Sequence, residues 1–129
     1  MRWRIPSIIL AALAFAVGAG WPAWQARQQR QEVAAAITGG DADRAPALLR
    51  QYGCGGCHAI PGVPGAAGRV GPPLQGLRER VYIAGVLPNT AENLVAWLQD
   101  PRRFSPRTAM PATGITPPQA RDVAAFLYR

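Results

Sequence analysis

The chain has 129 residues, room for one small domain and an appendage, and its 14 basic residues against seven acidic ones give a formal net charge of +7. Every basic residue is an arginine, and these are scattered rather than gathered in one tract, which weighs against nucleic-acid binding. Two cysteines cannot form a disulfide framework, so a core this small must be stabilised by something else.

At the N-terminus, Arg2 and Arg4 precede an uncharged run from Ile5 to Ala26, long enough to span a bilayer as a helix. Pro6 sits near its start, where a helix tolerates it, and Trp21 and Trp24 sit where an aromatic belt would. Residues 1–26 are expected to be a retained N-terminal transmembrane helix. The rival is a cleaved secretory signal, with Ala14-Phe15-Ala16 or Ala16-Val17-Gly18 as the small-residue site, but both cuts fall inside the apolar run. Either way the rest of the chain is exported. Residues 27–40 are polar and helix-permissive until Thr38-Gly39-Gly40 interrupts them, which reads as a linker or short helical extension.

A domain over 41–129 follows. Asp41 and Asp43 supply N-terminal charge to a short helix whose apolar stripe is Leu48, Leu49 and Tyr52. It runs into Cys54-Gly55-Gly56-Cys57-His58, which uses both cysteines and the only histidine. Residues 59–77 hold five Gly and four Pro and read as a loop containing Gly71-Pro72-Pro73-Leu74. Asn89-Thr90-Ala91-Glu92 suggests a capping box, Asn89 bonding forward and Glu92 reaching back. Leu94, Val95 and Leu98 continue at helical spacing until Asp100-Pro101 stops the helix. The stretch 102–114, with Met110, is expected to be irregular. Thr116 caps a last helix with Pro117 at its first position and Val123, Phe126 and Leu127 on its buried face. No alternating run is long enough for a sheet, so the domain is expected to be all-α.

The spacing C-x-x-C-H is a c-type haem attachment signal. Two thiols on one turn can reach the two vinyl groups along one haem edge, and the next residue can place its imidazole under the iron. Gly55 and Gly56 would let the backbone pass close to the porphyrin. A redox dithiol would want a βαβ context, which is missing, and a structural zinc needs four ligands where the chain has three Cys or His residues. A plain disulfide would leave His58 a coincidence. The reading is haem c, bound through Cys54 and Cys57. From Asp41 onward ten Arg face six Asp or Glu, a net of +4, reduced by two haem propionates to about +2, which suits an acidic partner surface. For the distal side there is no lysine and no second histidine, and Met1 lies in the export segment, so elimination leaves Met110. An iron with an open distal face is the remaining alternative.

From about Asp43 to Tyr128 the chain resembles class I cytochromes c, through CGGCH, GPPL, YIAGVLPNTAENLVAWLQDP, TAMP and ARDVAAFLY. The likeness extends to bacterial cytochromes c, free or fused to oxidase subunits, that feed haem-copper oxidases. It implies a helical shell around one haem, with first and last helices crossing. It also implies thioether bonds at Cys54 and Cys57, axial ligation by His58 and Met110, and a Pro72 carbonyl on the His58 ring. Tyr82 and Trp97 match aromatic positions lining the haem pocket, with hydrogen bonding to a propionate or near Met110 as one reading and packing as the other. Arg102, Arg103 and Arg107 could guide docking or be solvated surface charge. Any positive docking face would here be arginine, where the family commonly uses lysine.

The function expected is one-electron transfer in a membrane-bound respiratory or photosynthetic chain, the haem domain on the outer, periplasmic side of a bacterial cytoplasmic membrane. A quinol-oxidising complex would stand upstream and a terminal oxidase downstream. The alternatives are a fixed haem-relay subunit of a membrane complex and, with Met110 displaced, a haem enzyme or ligand sensor.

Overall fold

The computed structural model describes the backbone of residues 4–129, and side chains for all of these except 4–7, 13, 16, 17 and 19. Six helices appear in it: α1 (Arg4–Thr38), α2 (Ala45–Gln51), α3 (Cys54–Cys57), α4 (Ala91–Gln99), α5 (Pro101–Phe104) and α6 (Pro117–Leu127). A short 3₁₀ turn (Leu77–Glu79) and a two-stranded antiparallel ribbon, β1 (Tyr82–Ile83) with β2 (Leu87–Pro88), complete the set. The ribbon pairs Tyr82 with Pro88 and Ile83 with Leu87, and is too short to disturb the expected helical class.

The last helix is the hub. It packs on α1, α2 and α4, and every residue from Asp122 to Tyr128 is buried. That follows from its sequence: a small-residue pair (Ala124, Ala125) between larger apolar groups lets three helices approach one axis. Leu49 from α2, Leu94 and Leu98 from α4 and Val123 from α6 close the core.

The segment joining the first apolar run to the domain is one helix. Pro22 lies inside α1 without ending it, and the helix stops only at Thr38, followed by Gly39 at φ +67°. Its apolar side chains Ile8, Leu10, Phe15, Trp21 and Trp24 are exposed. Among the described residues no helix is long and apolar enough to cross a membrane. The transmembrane helix expected of residues 1–26 is therefore not shown, and residues 1–3 of that stretch lie outside the described residues.

Three local expectations give way to tertiary demands. Thr90, not Asn89, caps α4, its hydroxyl accepting from the Asn93 N–H at 3.2 Å. Asn89 instead donates to the Leu77 and Arg80 carbonyls at 2.7 and 2.8 Å and accepts from the Tyr128 hydroxyl at 2.6 Å. An amide that can satisfy three partners away from open solvent is worth more there than at a solvent-facing cap. Asp100 ends α4 as expected, but its carboxylate also accepts from the Arg103 N–H at 3.3 Å and starts α5, so the stretch after it is not wholly irregular. Asp41 and Asp43 stay out of the first turn of α2, and Asp41 pairs with Arg44 at 3.3 Å.

Burial pushes the Tyr128 phenol above its ordinary value of 10, Glu92 adding to the shift and Arg78 opposing it. The folded protein thus holds this proton more tightly than the unfolded chain. The stability it contributes is complete below pH 10 and is lost as pH rises through the folded value. Tyr128→Phe should cost about 1 kcal/mol at neutral pH, from the bond to Asn89, and should flatten the decline above pH 10. Urea unfolding of the haem-loaded protein from pH 7 to 11 reads both effects. The chain has no lysine to titrate in that window.

Candidate haem-binding site

The motif Cys54–His58 begins where Gly53, at φ +69°, turns the chain out of α2 into the single turn of α3. His58 ends that turn in extended conformation, its N–H bonded to the Cys54 carbonyl at 3.0 Å. The loop then folds back. Gly68 N–H bonds to Gly55 O at 3.0 Å, Gly71 N–H to Cys57 O at 2.8 Å and Leu74 N–H to Ala59 O at 2.9 Å. The glycine and proline content that marks this segment as a loop also lets it lie flat against the motif.

This folding-back places the Pro72 carbonyl 2.7 Å from His58 Nδ1. A carbonyl can only accept, so Nδ1 carries the proton and Nε2 presents its lone pair. Gly71 sits over the ring so closely that a β-carbon there would lie 2.7 Å from Nδ1 and 2.9 Å from Nε2. Gly55 is needed for a different reason than its place in the motif suggests. Its missing β-carbon makes room for Ala66, at 2.8 Å, and Gly56 has open space around it.

Cys54, Cys57, His58, Pro72, Trp97 and Met110 all line one cavity of about 470 Å³. Its walls are otherwise mostly apolar, with Leu49, Leu94, Leu98, Val123 and Leu127 contributed by the core helices and Leu74 by the loop. Trp97 is buried, and its indole N–H donates to the Met110 sulfur at 3.1 Å. Tyr82 is the one sequence-selected residue outside the cavity lining: it stands exposed on β1, while Ile83 and Ala84 beside it line the cavity. Arg102, Arg103 and Arg107 are exposed at the foot of the Met110 segment. Among the described residues the only ion pair is Arg44 with Asp41.

Arg80 is the residue that the sequence reading missed. It is the single formally charged side chain lining the cavity. Its guanidinium donates to the Pro73 carbonyl and, at 3.1 Å, to the Gln75 carbonyl, which fixes it at the cavity wall.

No disulfide joins the two cysteines, and burial pushes the Cys54 thiol above its ordinary value. A reactive redox dithiol requires the opposite shift. No three Cys, His, Asp or Glu side chains among the described residues converge to hold a metal ion, which leaves no zinc cage. What the residues fit is a flat apolar group attached at one edge: two thiols, an imidazole with a free Nε2, a thioether, and one cation for an acidic substituent.

Residues 42–128 match the Cytochrome c family. The chain belongs to that family. Membership brings haem c with it, and Cys54, Cys57 and His58 stand at its attachment spacing. This cytochrome c is also similar to cytochrome c oxidase subunit 2 of Alkalihalophilus pseudofirmus, 42% identical over 65 residues, which is 50% of the chain and 18% of that relative. Subunit 2 of Bacillus subtilis is 38% identical over 68 residues, 51% of the chain and 19% of the relative. Subunit 2 of Bacillus sp. strain PS3 is 39% identical over 62 residues, 46% and 17% respectively. The match thus spans less than a fifth of each relative's length. No solved structure matches the chain significantly.

Proposed function

We propose that this chain carries single electrons in a membrane-bound respiratory or photosynthetic chain, through one haem c held by Cys54 and Cys57 with His58 and Met110 as axial ligands. The observation that carries the reading is the shared cavity. His58, with Nδ1 protonated against Pro72, and Met110, with its sulfur held by Trp97, line the same apolar space as the two thiols.

When bound, haem supplies a reversible one-electron couple between ferric and ferrous iron. The protein sets the conditions for it. The Pro72 carbonyl orients the imidazole and makes Nε2 a better donor. The Met110 thioether is a soft ligand that favours the reduced form and raises the potential. Sulfur has two lone pairs, so the Trp97 bond can occupy one and leave the other to the metal. The apolar walls exclude water and keep the response to a change of charge small. Arg80 offers the counter-charge for a propionate that would otherwise be buried unpaired.

The N-terminal run from Ile5 to Ala26, with Ile8, Leu10, Phe15, Trp21 and Trp24 exposed on α1, supports anchoring in the cytoplasmic membrane, the haem domain outside. Anchoring confines the partner search to the membrane surface and raises effective concentration. A quinol-oxidising complex upstream and a terminal oxidase downstream are the partners this implies. The similarity to oxidase subunits favours a second reading, a fixed relay within an oxidase complex.

The test is the intact mass of the native protein extracted from membranes. The expected mass is the whole chain plus one haem, and Cys54→Ser with Cys57→Ser should leave no haem that survives acid extraction. A truncated chain plus haem removes the anchor from the reading. A haem-free mass in a matured sample overturns the reading itself.

A further inference from the structure

The pair Gly39-Gly40 has the composition of a flexible linker, yet the structure closes it into a tight junction. Gln31, Ala34 and Thr38 recur on one face of α1 and turn toward the domain, with Ala34 fully buried and Thr38 nearly so. This face packs on α6 and α4. The Thr38 hydroxyl donates to Ala34 O at 2.7 Å and accepts from the Gly40 N–H at 3.2 Å, closing the end of the helix on itself. The next N–H, that of Asp41, donates to the buried Asp122 carboxylate of α6 at 2.7 Å. At Gly40 the two backbones touch: a β-carbon there would lie 2.6 Å from Asp122 N and nearer still to the Arg121 carbonyl.

We propose that α1 and the haem domain are one rigid body, with Thr38, Gly40 and Asp122 as the residues that fix the angle between them. Glycine is present at position 40 because only a missing side chain allows this approach. Residues 27–38 then form a strut roughly 18 Å long at the helical rise per residue. The cavity holding Cys54, His58 and Met110 therefore faces one fixed direction relative to α1.

The functional consequence rests on the anchoring proposed above. A domain on a loose tether can sweep out many heights and meet different partners in turn. A domain on a strut presents its haem edge at one height and one orientation over the bilayer. It suits a redox partner embedded in the same membrane, and favours the fixed relay over the free shuttle.

Distances between two nitroxide labels on the haem-loaded full chain test the junction. Gln28→Cys on α1 and Glu92→Cys on α4 give two exposed label sites, and the native cysteines are consumed by haem. The expected result is one narrow distance distribution, the same in detergent and in phosphatidylcholine nanodiscs. Four Gly-Ser residues inserted after Gly40 should broaden it by roughly 10 Å. Gly40→Ala should shift or broaden it with the haem spectrum unchanged. A native distribution as broad as that of the insertion variant overturns the proposal. Flotation of the same labelled protein with phosphatidylcholine vesicles tests the anchor separately: failure to float removes the membrane consequence, while a narrow distribution still establishes the rigid junction.

Discussion

Gly71→Ala is expected to destabilise the haem-loaded protein by more than about 3 kcal/mol and to lower the yield of covalently loaded protein severely. The new β-carbon would fall 2.7 Å from Nδ1 and 2.9 Å from Nε2 of His58, distances that no relaxed structure keeps. Either the ring rotates or residues 71–73 retreat. Rotation misdirects the one nitrogen able to bind iron. Retreat breaks the Pro72 carbonyl bond to Nδ1 at 2.7 Å and the Gly71 N–H bond to Cys57 O at 2.8 Å. Both routes damage the ligand, so the effect exceeds an ordinary loop glycine replacement. Pro73→Ala, one residue from the ring contact and exposed, is the control and should cost no more than about 1 kcal/mol, the entropy released to the unfolded chain. Urea unfolding and the ratio of covalent haem to protein read the result. Normal loading and wild-type stability in Gly71→Ala would mean that His58 is not held where the structure places it.

The glycine above the ring shows what a sequence can and cannot announce. The spacing of Cys54, Cys57 and His58 is dictated by covalent chemistry, so it reads directly. Met110 as the distal donor is a proposal that elimination carries, because a chain with one histidine and no lysine leaves few donors. Helices α4 and α6 were legible from apolar periodicity and from prolines whose effect is local. The attachment spacing and the two helices are cases where the residue type alone fixes the outcome.

The remainder depends on what folds over what. Asn89 is a good cap by type, and nothing local reveals that Tyr128, 39 residues on, will claim it. Arg80 looks like any of ten arginines in the domain until Ile83, Leu94 and Leu127 close an apolar cavity beside it. Gly39-Gly40 reads as a break because glycine lowers the cost of disorder and of close approach alike. Only the crossing of α1 over α6 decides between them. For the same reason Tyr82, expected at the haem pocket from a stretch matching the family, stands exposed outside the cavity lining, and its neighbour Ile83 takes the inward place in the ribbon.

Met110→Ala is expected to leave the distal position without any protein donor, since neither a lysine nor a second histidine exists to replace the lost sulfur. The ferrous protein should then bind carbon monoxide, and the wild-type protein should not. The reduction potential should fall by on the order of 100 mV, a modest part of the roughly 0.8 V that axial ligation can span. Met110→His should restore a distal ligand and abolish carbon monoxide binding, but not restore the potential, because imidazole lacks the soft thioether's preference for ferrous iron. Trp97→Phe separates support from ligation. It removes the indole N–H that meets the sulfur at 3.1 Å while leaving the sulfur itself, so coordination should persist with a smaller shift in potential. Carbon monoxide difference spectra and potentiometry across these three variants distinguish the roles. Ready binding of carbon monoxide by the wild type would place Met110 outside the coordination sphere, and the electron-carrier reading would give way to that of a ligand sensor.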